Sequence, residues 1–140
     1  MSLIQHAFIQ KSRVPSREQW QQAIDKLGHE FELDPDLKPN EDSGFLPCKL
    51  KGYPSGFEIY YEPANEYLKL YPDLSTRNGN RDWCITFRWG GDLAECACVL
   101  IASAALIDSF DAIIYYPGDN MFYDKAAILS EIEACMTESH

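Results

Sequence analysis

Cysteine and histidine are the residue types that could carry chemistry in this chain of 140 residues: Cys48, Cys84, Cys96, Cys98 and Cys135, with His6, His29 and His140. A thiol beside an imidazole forms a nucleophile–base pair, and thiols with histidines at fixed spacing hold a soft metal ion. The ECAC stretch at 95–98 comes nearest to a metal spacing. On a helix, however, positions two apart diverge by about 200°, so Cys96 and Cys98 cannot clamp one ion together, and no histidine lies nearby in sequence. An odd number of cysteines with no CxxC suits free thiols in a reducing cytoplasm. Cys84 with a histidine is the one conceivable nucleophile pair, although Cys84 sits in a strand-like run where burial is expected. His29 follows a helix end, where an imidazole has a structural role. His140 is the last residue.

The glycines of RWGGDLAE, residues 88–95, could let backbone amides approach a phosphate at a helix start. Neither GxxxxGK nor GxGxxG is present, and Asp92 and Glu95 stand where the anion would sit. The same acids suit a helix start, with Asp92 as N-cap and Glu95 three residues on. DPDLKP at 34–39 opens like a calcium loop, but Lys38 takes a ligand position and Pro39 the obligatory glycine, so a solvated loop is expected. Ser55 in GYPSG falls outside the G-x-S-x-G elbow and reads as a turn serine. No cofactor and no metal are expected.

Periodicity supplies the elements that must hold these residues. Leu3–Ile9 alternates as a strand. Ser16 and Gln19 make a capping box for a helix over 17–27, closed by Gly28. Strands are expected at 29–33, 45–50 and 57–62, with KGYPSG as a hairpin-like reversal, then at 67–71 and 82–89, so that 57–89 forms an antiparallel meander. From Leu93 to Ile107 only Glu95 and Ser103 are polar, which predicts a buried helix over 93–108; the 15 residues of that apolar stretch fall short of the ~20 a membrane span needs. A short strand at 112–116, a turn at Gly118–Asn120 and a return at 121–123 lead to a last helix, capped by Asp124 and running to about Met136. The strands cluster without helical crossovers. The expectation is one globular domain over 1–140, α+β in class. Its sheet should be antiparallel-dominated, of about five to six strands, with about three helices packed mainly on one face.

The charge is −10, from 22 acids against 12 bases, and beyond Trp89 nine acids face one base, Lys125. Such a surface repels nucleic acid and anionic membranes and attracts a basic protein partner. MSLIQHAFIQ lacks the features of a signal peptide, so a cytoplasmic location is expected. Eight tyrosines lie among acids, and adjacent tyrosines in a strand point to opposite faces, so some must be exposed. Tyrosine rimmed by polar groups is typical of binding surfaces. Glu58, Tyr60, Glu62, Asp119, Asn120 and Tyr123 are therefore the candidate contacts.

Three segments, GFLPCKLKGYPSGFEIYYE (44–62), FRWGGDLAECACVLIASAALID (87–108) and YPGDNMFYDKAAILSEI (116–132), resemble small bacterial proteins of unassigned function. Those proteins are in turn similar to immunity proteins of polymorphic or contact-dependent toxin systems. The resemblance spans roughly the last two-thirds of the chain and departs from the pattern after Ala112, where a glycine-rich start is lacking. It implies a cytoplasmic, acidic, non-enzymatic domain that binds and blocks a toxin, and it carries over no catalytic residue. Two other classes fit the sequence: a small-ligand or minor enzymatic domain with a tyrosine-walled pocket using Cys84 or His29, and a homodimeric subunit associating through the apolar helix.

Overall fold

Alternating side chains and tight turns build one seven-stranded sheet in the computed structural model, which describes residues 2–138. The strands are β1 (Leu3–Ile9), β2 (Phe31–Leu33), β3 (Gly44–Leu50), β4 (Tyr53–Pro63), β5 (Trp83–Trp89), β6 (Ile113–Tyr116) and β7 (Met121–Tyr123). Their order is β2–β3–β4–β5–β1–β6–β7, and every described neighbouring pair is antiparallel. The helices are α1 (Arg17–Lys26), α2 (Asn65–Leu70), α3 (Pro72–Arg77), α4 (Leu93–Phe110) and α5 (Lys125–Glu138). The class is α+β, with one strand more than the upper expectation. His140 lies outside the described residues.

Pleating divides the sheet into two faces. Ala7, Ile9, Phe57, Ile59, Ile85 and Phe87 point to the face under α1, α4 and α5 and form the main core. Phe8, Cys84 and Tyr115 point the other way, into a smaller cluster beneath α2 and α3. The N-terminal strand β1 sits between β5 and β6, antiparallel to both. Strands β5 and β6 therefore run parallel to each other, and α4 crosses over β1 to join them. This helical crossover departs from the meander-only expectation: β1, distant in sequence, occupies the place beside β5.

Helix α4 is built as its ends required. Asp92 Oδ1 accepts from the Ala94 amide at 2.7 Å, while Glu95 reaches back to the Gly90 amide at 3.2 Å, two residues earlier than a capping box would use. The helix ends on Asp111 in the left-handed region (φ 58), with Ala112 N–H donating to Leu106 C=O at 3.1 Å. Its 18 residues exceed the expected stretch, and at ~1.5 Å per residue its length and apolarity alone would permit a membrane crossing. Its apolar surface is nevertheless used inside the domain. Ala97 to Leu106 are all buried, Trp20 Nε1 of α1 donates to Ala102 C=O at 3.1 Å, and Gln5 Nε2 of β1 donates to Ser103 Oγ at 2.8 Å.

Two local expectations are corrected. Lys51 and Gly52 alone make the β3–β4 turn, both at positive φ (53 and 81), as a two-residue type I′ hairpin demands. Tyr53 to Gly56 therefore belong to β4, and Ser55 is a strand residue opposite Cys48. Residues 67–70 belong to helix α2, and Tyr71 is the extended residue that joins it to α3. Strand β4 already pairs with β5 from Glu58 to Pro63, so no sheet edge between them remains for another strand. Ala64, Tyr67, Leu68, Tyr71 and Leu74 instead follow helical spacing, with Pro72 at the first position of α3.

The buried Gln5–Ser103 bond pins α4 to the middle of the sheet. Ser103→Ala leaves the Gln5 amide without that acceptor and is expected to lower stability by about 1–3 kcal/mol. Urea unfolding of the purified variant checks this, and an unchanged midpoint would refute it.

Candidate functional site

The sheet brings Cys84 to a histidine, and the histidine is His6. In the β1–β5 ladder His6 stands opposite Thr86 and Phe8 opposite Cys84, and pleating aims all four at the face under α2 and α3. His6 Nδ1 lies 2.9 Å from Thr86 Oγ1; Cys84 Sγ is 3.5 Å from that hydroxyl and 3.7 Å from the imidazole. Helix α2 lays Tyr67 over the imidazole at 4.4 Å between rings, and its hydroxyl donates to Glu62. Tyr71, Tyr115 and Phe122 continue the aromatic layer at 4.9 and 4.7 Å.

This cluster has the membership of a nucleophile pair without its electrostatics. Burial pushes the Cys84 thiol up to about 12 and the His6 imidazole down to about 4. Both groups are neutral near pH 7, whereas nucleophilic attack needs the thiolate. The tyrosines pack against one another and fill the space beneath α2 and α3. The clefts of about 560 Å³ and 530 Å³ elsewhere on the molecule carry no tyrosine. His29 lines the first of these, beside Arg17, Gln21, Asp25 and Lys49, far from Cys84 in the fold.

Cys96 and Cys98 diverge, as the helical period requires. Cys96 Sγ approaches Cys135 Sγ of α5 at 3.6 Å, while Cys98 hydrogen-bonds toward Cys48 and Ser55 on the sheet side. Among the described residues no three His, Cys, Asp or Glu side chains are grouped to hold a metal.

The six candidate contacts fall in two places. Glu58, Tyr60 and Glu62 are half-buried on the α2–α3 face of β4. Tyr60 hydroxyl donates to Glu58, which faces Arg88 across the ladder, and Glu62 holds Tyr67. These groups are engaged within the chain. Asp119 and Asn120 are exposed in the turn between β6 and β7, where Asn120 accepts from Tyr115 hydroxyl at 2.7 Å. Tyr123 is half-buried on the opposite sheet face, packed against the main core. Three strands separate β4 from β7, about 19 Å at ~4.8 Å per step, so the two sets are not one patch.

Around Tyr123 the structure adds residues that the sequence reading missed. Burial, then Glu131 and more weakly Asp119, hold its hydroxyl well above the usual phenol range; burial and then Asp119 raise that of Tyr116. Tyr116, Asp119, Tyr123 and Glu131 thus share one neighbourhood at the β6–β7 end of the molecule. The legible signal was the hairpin register: Ile114 pairs with Tyr123, so Tyr116 shares the face of Tyr123. Of the nine acids beyond Trp89, Asp108 pairs with Lys125 and Asp111 with Arg81; the other seven are outside any described ion pair. Comparisons of this chain with protein families, with curated proteins and with solved structures give no match.

His6 makes stability depend on pH. It protonates near 6.5 in the unfolded chain and near 4 in the folded one, so between these values the unfolded state binds more protons. The contribution is complete above about pH 6.5 and is lost as pH falls toward 4, by about 3 kcal/mol in all. Urea midpoints measured from pH 7 to 4.5 are expected to fall more steeply for the native chain than for His6→Gln. Equal slopes would assign the dependence to other groups.

Proposed function

We propose that this chain is a non-catalytic acidic protein that binds and neutralises a basic protein partner, in the manner of an immunity protein, through its β6–β7 end. The observation that carries the reading is the grouping of Tyr116 and Tyr123 with the carboxylates of Asp119 and Glu131. This group lies in a third of the chain where nine acids meet one base. Tyrosines supply rigid contact area at low entropic cost, and uncompensated carboxylates steer a cationic partner and fix its register. The segment 116–132, one of the three that resemble immunity-type proteins, spans the same turn, the same return strand and Glu131. The neutral, buried Cys84–His6 pair supports a structural part for the only thiol–imidazole contact described.

The partner should be held electrostatically. Affinity capture with the tagged chain from a lysate of its source organism is expected to retain one strongly basic protein at low salt and to release it at about 0.5 M salt. Asp119→Asn combined with Glu131→Gln should lower recovery about tenfold, as expected for loss of two contact charges. Glu66→Gln, an exposed acid on α2, should leave recovery unchanged. Retention of no basic protein, or equal loss in both variants, overturns the proposal.

A further inference from the structure

Two thiol pairs bracket α4, and they differ in access. Cys48 and Cys98 are 4% and 0% exposed between sheet and helix, and Cys84 is 0% exposed beneath α2 and α3. Cys96 is half-buried in the first turns of α4, and Cys135, 7% exposed, meets it from α5 with 3.6 Å between sulfurs. All five thiols are free. We propose that Cys96 and Cys135 form a reversible disulfide site, closed by a two-electron oxidant of the peroxide class and opened by a dithiol.

The geometry favours this pair. The two sulfurs are already in contact across the α4–α5 packing seam, and a disulfide needs them to close by only about 1.5 Å. The step balances. Cys96 attacks peroxide, breaks its O–O bond and becomes a sulfenic acid, releasing one water. Cys135 then attacks that sulfur, the S–O bond breaks, and a second water leaves with the remaining thiol proton. The thiols are oxidised by two electrons and the peroxide is reduced by two. Burial, with Cys135 and Glu131 beside it, holds the Cys96 thiol up at about 12, so the reactive thiolate is scarce near neutrality and its fraction rises about tenfold per pH unit. The bridge would close the chain from 96 to 135 and tie α5, which packs chiefly on α4, to the core helix. It needs no binding partner: Cys96 lies beside Glu131 and Tyr123 of the proposed contact group, but the linkage is read from the thiols themselves, independently of partner binding.

The test uses the full reduced chain, hydrogen peroxide as the probe, and non-reducing peptide mapping by mass spectrometry. The expected product is a monomer lighter by two hydrogens, with the Cys96 and Cys135 peptides linked and Cys48, Cys84 and Cys98 still alkylatable. Its formation should accelerate about tenfold per pH unit between pH 7 and 9, and dithiothreitol should reverse it. The oxidised form should melt several degrees higher than the reduced one. Either Cys96→Ser or Cys135→Ser, whichever remains folded by circular dichroism, should give no such product. A linkage between any other cysteines, a chain-to-chain dimer, or stable oxygen adducts on Cys96 without a bridge would overturn the proposal.

Discussion

The constraint on which this molecule depends is the burial of an almost wholly apolar helix. Helix α4 presents hydrophobic surface on every side through its middle ten residues, so one packing partner is not enough. The sheet covers one side, α1 another and α5 a third. Two polar groups that meet α4 in this interior are matched: Ser103 takes the Gln5 amide, and a helix carbonyl takes the Trp20 indole. Small residues let the backbone of α4 come close to the strands, and the alanines and cysteines along it fill what remains. The first and last described elements both serve this demand, since β1 supplies an interior strand beneath α4 and α5 its outer cover.

That arrangement leaves the second sheet face with a different task. It is covered over only part of its area, by two short helices carrying an aromatic layer of Tyr67 and Tyr71 onto His6, Phe8 and Tyr115. Buried polar atoms here satisfy one another, imidazole to hydroxyl and hydroxyl to carboxylate. A thiol and an imidazole so placed resemble a catalytic pair by proximity alone. Desolvation keeps both neutral, and the cluster reads as a pinned interior. The groups left over for recognition are those that neither core consumes, chiefly the acids and tyrosines around the β6–β7 turn.

Much of this was legible in one dimension because it rests on local rules. Ser16 and Gln19 cap α1 as their spacing requires, Asp124 accepts from the Ala127 amide at the start of α5, and alternation marks β1, β3 and β5. The divergence of Cys96 and Cys98 follows from helical geometry. At 67–71 the sequence YLKLY alternates as a strand does, while the competing helical stripe from Ala64 to Leu74 runs across a proline, Pro72. Glu58, Tyr60 and Glu62 have the residue types of a surface, while their hydrogen-bond partners, Tyr67 among them, come from another element or from the same strand two residues away.

By itself the sequence determined the helix and strand positions with local punctuation, the acidic charge and its concentration beyond Trp89, and the absence of any phosphate or metal spacing along the chain. These depend on neighbours within a turn or a pleat. Only the tertiary structure decided that β1 inserts between β5 and β6, that His6 meets Cys84, that Cys96 meets Cys135, and that Glu131 joins Tyr116, Asp119 and Tyr123. His6 and Cys84 are 78 positions apart, Cys96 and Cys135 are 39 apart, and Glu131 reaches the hairpin from another element. They are set by which apolar faces must be buried together, a condition that exists only once the whole chain has closed around α4.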